Sequence, residues 1–270
     1  MIMQPHFAAG RWELAGCVER LLALATSGWR QAIRDKLLHV LGGFCVVLIG
    51  GSLVLSELTV GERGRIVLDL GLSGTSLLAN LVAIFVTINQ VAREIERKTV
   101  VVILTKPVAR WELITGRFLG MAATLALMVA CMGALHGGLL AAIGAWRPEL
   151  IQALVLTWLE SVVVAAIALF FSSFATPLPS MFLTLAFLVI GHTSWGLRML
   201  AETSGAAMRT VLEMLYRVLP NLSLLNVRSA VTWGDSIAWS HVAHGAVYGL
   251  GYSAMLLALA SFALSRRDLT

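Results

Sequence analysis

Glu160, His136 and His192 are the side chains best placed to do chemistry, because each falls inside a long apolar stretch of the chain. An ionisable group is costly in lipid and marks a functional site by default. One reading of the three is an intramembrane polar path that handles substrate headgroups or protons. The other is that they pair with each other, or with loop backbone, near a membrane surface. His241 and His244 are three apart on one helix face and offer two metal nitrogens, but no carboxylate or Cys on their segment completes a site. They read as structural histidines, and no metal is expected. An intramembrane enzyme would need Glu160 and these histidines to converge within hydrogen-bond reach. Asn80, Thr75, Ser76, Thr87 and Asn89 share one apolar block and read as interhelical hydrogen-bonding residues. No G-x-x-x-x-G-K, H-E-x-x-H, G-x-S-x-G or C-x-x-C motif is present, so the chain is expected to bind no ATP and to catalyse no reaction itself.

The second group lies at 93–117, a long charged interval between two apolar blocks. It reads as an amphipathic helix from Arg93 to about Leu104, a turn at Lys106-Pro107, and a new helix starting at Arg110-Trp111-Glu112. Glu94, Glu96, Arg97 and Lys98 suit the docking of a soluble subunit, since complementary charge fixes register. An ordinary solvated loop with orienting charge fits the same residues, and physics alone leaves both open.

The elements that must position these groups are membrane helices. Of the 270 residues 58% are hydrophobic and 13% charged, about half the charge of a soluble domain, and the mean hydropathy is +0.85. Six apolar blocks, at 37–56, 70–91, 118–145, 154–174, 179–197 and 239–264, approach the ~20 residues that cross ~30 Å of hydrocarbon. Backbone groups in lipid must be satisfied internally, so the blocks are predicted to be helices of one permease-like domain, 1–270. With the N-terminus inside, thirteen of the twenty Lys and Arg fall in inner segments and seven in outer ones. The positive-inside rule then puts both termini and the 93–117 stretch in the cytoplasm. In that frame Glu160 lies in the outer third of its span. The basic charge orients the chain rather than binding nucleic acid.

Residues 18–36 alternate apolar and charged faces at helical spacing and predict a helix lying on the membrane surface. Arg11 and Glu13 interrupt the place of a signal core, so Leu14-Ala15-Gly16-Cys17 is not taken as a cleavage box. Gly116/Gly120, Gly133/Gly137 and Gly245/Gly249 have the spacing of helix-packing faces. Pro177 and Pro179 are expected to stop the fourth span in a tight inner turn. Between the fifth and sixth spans, Met208, Val211, Leu212, Leu215, Tyr216 and Leu219 form one helical face, with Arg209, Glu213 and Arg217 opposite. Glu213 is ordered for a pair with Arg217. The apolar stretch 222–231 is too short to span, so it dips into the outer leaflet or caps the bundle. Trp233 and Trp239 would anchor at headgroup depth.

The run from Glu94 to Thr99, the run from Leu104 to Glu112, and Gly116-Arg117-Phe118-Leu119-Gly120 resemble the cytoplasmic loop of ABC-2-type permeases. Ser172-Ser173-Phe174 before the proline turn, the closing Ser265-Arg266-Arg267-Asp268-Leu269, the surface helix and the broken outer loop are similar too. The resemblance spans nearly the whole chain. It implies an all-α polytopic protein of the bacterial cytoplasmic membrane, acting as an exporter subunit. A second permease subunit, the same or a homologue, would pair with it in the bilayer. A separate soluble ATPase would carry the ATP and Mg and dock on the loop through Glu94, Glu96, Arg97, Lys98, Lys106, Pro107, Arg110, Trp111 and Glu112. A second reading keeps the ATPase but has the complex pass force to a periplasmic partner without moving a solute.

Overall fold

The computed structural model describes residues 63–96 and 110–265, with scattered residues between 22 and 51. Most of the surface helix 18–36, the first span 37–56 and the stretch 97–109 therefore lie outside the described residues. Within them the chain is helical, with no strand. Helix α1 runs Arg63–Glu96, α2 Arg110–Ala142, α3 Glu149–Ser172, α4 Pro177–His192, α5 Ser194–Thr203 and α6 Ala206–Val218. A short 3-10 helix at Leu222–Leu225, α7 at Arg228–Trp233 and α8 at Trp239–Ser265 complete the order.

Four of these, α1, α2, α3 and α8, are long and apolar enough to cross a membrane. Helix α1 has 34 residues, roughly 50 Å at 1.5 Å per residue, and extends beyond the expected 70–91 block at both ends. No proline interrupts its polar flanks, so the hydrogen-bond ladder continues after the hydrophobicity stops. Helix α2 ends earlier than the apolar pattern suggested. Gly144 adopts a left-handed φ of 71°, and the Ala145 amide reaches back to the Leu140 carbonyl at 2.8 Å, a closure that suits glycine.

Helix α3 is the centre. Seven consecutive residues, Val162 to Ala168, are buried, so it is covered on every side, the pattern of an interior helix. Gly133 of α2 lies against Leu154, and Gly245 and Gly249 of α8 against Leu156 and Val163. The Trp158 indole N–H donates to the Ala122 carbonyl at 2.9 Å. Two of the three glycine pairs thus pack closely against other side chains. Gly120 meets the Ala25 and Trp29 backbone, bringing part of the 18–36 segment onto α2. These pairings make α1, α3 and α8 run one way and α2 and α4 the other.

Two expectations need correction. The prolines begin α4 rather than end α3: Thr176 is the extended N-cap and Pro177 opens the helix, where proline's missing N–H costs nothing. The expected fifth span, 179–197, is broken at Thr193, whose φ of −97° and ψ of 12° separate α4 from α5. At 16 residues, α4 is short of a full span. The break adjoins Gly191, where Leu222 and the Pro220 carbonyl come so close that a Cβ would meet them at 2.9 Å. Glu213 also pairs with the Arg209 guanidinium at 2.8 Å, and the Arg217 side chain, its expected partner, lies outside the described residues.

The segment after Pro220 caps the bundle by entering it. Leu222 and Leu225 are 0% and 1% exposed and belong to the same core as Leu156, Leu159 and Val163. Trp233 and Trp239 stand exposed beside this cap.

Candidate functional site

Glu160 is fully buried and sits at the middle of the 24-residue α3. The helix starts at Glu149, before the apolar block, with that carboxylate in the first turn where the helix dipole favours it. Oε1 of Glu160 accepts from the Asn80 amide of α1, and His192 Nε2, at the end of α4, lies 3.2 Å from it. The other ring nitrogen of His192 donates to the Leu188 carbonyl at 3.2 Å. A carbonyl only accepts, so that nitrogen holds a proton. Whether the remaining proton rests on the carboxyl or on Nε2, acid and imidazole together carry no net charge. Such a pair survives burial far better than a lone carboxylate.

The structure brings Glu160 and His192 together and sends the other histidines elsewhere. His136 is buried, its Nε2–H donating to the Val67 carbonyl at 3.1 Å across a gap that only Gly71 leaves open, since a Cβ there would lie 2.2 Å from the ring. His241 bonds the Leu224 carbonyl at 3.1 Å and His244 the Ser240 carbonyl at 2.7 Å. His136, His241 and His244 thus turn to backbone, and of the four histidines only His192 meets Glu160. Among the described residues no cluster of His, Cys, Asp and Glu is arranged to hold a metal. Of the α1 polar residues, Asn80 does make an interhelical bond. Thr75 and Thr87 keep buried hydroxyls without a partner among the described residues.

At the opposite end from the cap, Glu94 and Glu96 form the last turn of α1, and Arg110, Trp111 and Glu112 open α2. Arg97, Lys98, Lys106 and Pro107 lie outside the described residues. Trp111 is 49% exposed and Glu112 only 5%, so the indole presents a surface while the carboxylate faces the bundle. The turn between α3 and α4 shares this end, held by the Phe171–Phe187 ring contact at 5.0 Å, with Phe174 exposed.

A family model described as ABC-2 family transporter protein matches residues 22–269. The chain belongs to the ABC-2 transporter family. No curated protein matches it. As an ABC-2 permease it is a multi-pass membrane subunit of an ABC transporter, and its apolar helices are that subunit's body.

The permease holds its cap through a residue that sequence reasoning passed over. In the sequence Asn221 belongs only to Asn221-Leu222-Ser223, a three-residue glycosylation pattern that is common by chance. Its Oδ1 accepts from Ser194 at 2.9 Å and from Ser223. Its amide donates to the Tyr216 hydroxyl at 3.1 Å, and its backbone N–H to the Tyr248 hydroxyl at 2.7 Å. One side chain therefore links α5, α6 and the 3-10 helix, and its backbone reaches α8. The position just after Pro220 was the available signal, because a polar residue there must satisfy a reversing backbone.

Proposed function

We propose that this permease is an exporter subunit of the bacterial cytoplasmic membrane, paired with a second permease and powered by a separate ATPase. The ATPase, carrying ATP and Mg, docks on the 93–117 stretch, with both termini on the same cytoplasmic side. The observation that carries the reading is the family match over residues 22–269. Its physical support is the arrangement of helix ends: Glu96, Arg110 and the α3–α4 turn share one face of the bundle, where a soluble subunit can reach them together.

The coupling follows from α1. The helix is unbroken from Arg63 to Glu96, so a displacement of its last turn is delivered as rigid-body motion to the cap end. Midway, Asn80 ties it to Glu160 and, through the acid, to His192. Movement of α1 then carries α3 and α4 with it. In this reading Glu160 and His192 act first as a joint, and any role with His136 in a polar path is secondary. Replacing Glu160 by Gln while transport persists would remove that path.

Charge reversal of Glu94 and Glu96 to Lys is the direct test. The expected outcome is an assembled, folded permease whose transport falls at least tenfold while its partner's ATPase activity persists. Normal pairing and normal transport in the variant would sink this account of the loop. The force-transmitting alternative draws on the rigid, bundle-welded cap with Met208 and Met214 exposed. It is favoured if a periplasmic protein co-purifies through that face and no solute moves.

A further inference from the structure

At the cap end, a cavity of about 410 Å³ opens between the first two turns of α1 and helix α7. That volume is within the ~300–1,000 Å³ usual for small-ligand sites. Its polar wall is fixed by the fold. The Arg65 guanidinium lies 4.7 Å over the Trp233 ring, and Thr232 Oγ1 stands 3.4 Å from the Asp69 carboxylate. Helix α7 is pinned by Val231, buried in a core with Val67 and Leu68, and by Arg147 donating to the Val231 carbonyl at 3.1 Å. The wall is therefore preorganised rather than assembled on binding.

We propose that this cavity binds the headgroup of a zwitterionic phospholipid whose amine is primary, as in phosphatidylethanolamine. Arg65 and the Ser229 hydroxyl offer donors to a phosphodiester. Asp69, exposed one turn further along α1, accepts from an ammonium carried two carbons away. A purely anionic headgroup would meet the Asp69 carboxylate and gain nothing from it. A quaternary amine would want the Trp233 face, which Arg65 already covers. The cavity floor is Ile66 and Leu70, and Leu77 continues the same helical face at 53% exposure. Spacings of four and seven residues put these three in line, a track for one acyl chain running toward the bundle's middle. Trp233 at the rim is suited to the boundary between water and hydrocarbon. The site needs only that this end of the bundle reaches a membrane surface. It is independent of which subunit drives transport.

Native mass spectrometry of the full chain, titrated with dioleoyl phosphatidylethanolamine, phosphatidylglycerol and phosphatidylcholine, tests the assignment. Phosphatidylethanolamine should be retained over the other two by roughly five- to tenfold, the effect of one charge-assisted contact at a partly exposed site. Asp69→Asn should erase that preference, and Arg65→Gln should weaken all three lipids together. Equal retention of the three lipids by the unaltered protein overturns the proposal whatever the variants do. So does a preference that survives Asp69→Asn. Water-soluble glycerophosphoethanolamine should fail to displace the lipid at equal concentration. Displacement would mean that the acyl track contributes nothing and that the site takes a free phosphodiester.

Discussion

Helices α3 and α8 lie side by side and are both apolar enough to span a membrane, yet the chain treats them oppositely. Of the most hydrophobic window of α3, 72% is buried inside the protein, against 22% for α8. In water that contrast would be written in hydrophobicity, but in lipid it cannot be, because acyl chains are as apolar as Leu. It is written in what else each helix carries. Helix α3 places Gln152, Thr157, Glu160 and Ser161 among its buried residues. Helix α8 turns Gly245 and Gly249 toward α3 and leaves Val247, Leu250, Met255 and Phe262 open on its other side. Polar and small residues mark the inside of a membrane protein more than hydrophobic ones do.

The largest effect available on this contrast comes from the centre of α3. Glu160→Ala strands the buried Asn80 amide without its acceptor and takes the partner from His192 Nε2, whose other ring nitrogen keeps the Leu188 carbonyl. Breaking a buried pair from one side costs about 3–5 kcal/mol. Thermal unfolding in mild detergent should show a marked loss for Glu160→Ala, while Glu160→Gln keeps an acceptor oxygen and should retain most of the stability. Equal losses for the two variants would mean that the negative charge, and not the hydrogen bonding, holds α1, α3 and α4 together.

A smaller effect tests the seam between the two helices. A Cβ on Gly245 would stand 2.9 Å from Leu156 and 3.1 Å from Leu225, whereas at Gly249 the nearest atom is 3.5 Å away, on Val163. Gly245→Val should cost about 1–3 kcal/mol, the usual penalty for overpacking. Gly249→Ala should be close to neutral. The same melting experiment checks both, and a reversed order would mean that α8 sits against α3 in a different register.

What the sequence made legible follows the same division. The α8 block 239–264 was read to within a residue, because its hydrophobicity starts and stops where the helix does. The apolar blocks of α1 and α2 stop short of the helix ends on the 93–117 side, but the start of α2 at Arg110 was legible from Arg110-Trp111-Glu112. The fifth span was misread for a tertiary reason. The break at Thr193 adjoins the place where Leu222 and Pro220 fold back onto Gly191, a contact between residues some thirty positions apart. That Glu160 pairs with a histidine was one of the two readings of the sequence, but its particular partners were not legible, because Asn80 and His192 reach it from two other helices. The Asn221 hub left no periodic trace at all.

The smallest expected effect separates two meanings of the open α8 face. Val163 is 0% exposed on α3 and Val247 is 76% exposed on α8, so truncating each to Ala compares the same chemistry in two settings. Neither valine gains from leaving water when its helix is already in the bilayer, so the hydrophobic transfer term largely cancels. What remains for Val163→Ala is the cavity and its lost dispersion contacts, on the order of 1–2 kcal/mol. Val247→Ala removes contacts with lipid that lipid itself replaces, and the stability of the single chain should change by less than about 0.5 kcal/mol. The informative readout for Val247 is therefore the assembly and not the melt. If its truncation leaves both the melt and the fraction of paired permease unchanged, the α8 face belongs to the bilayer. If the melt is unchanged but pairing weakens, the apolar residues that α3 does not need are the ones a second permease uses.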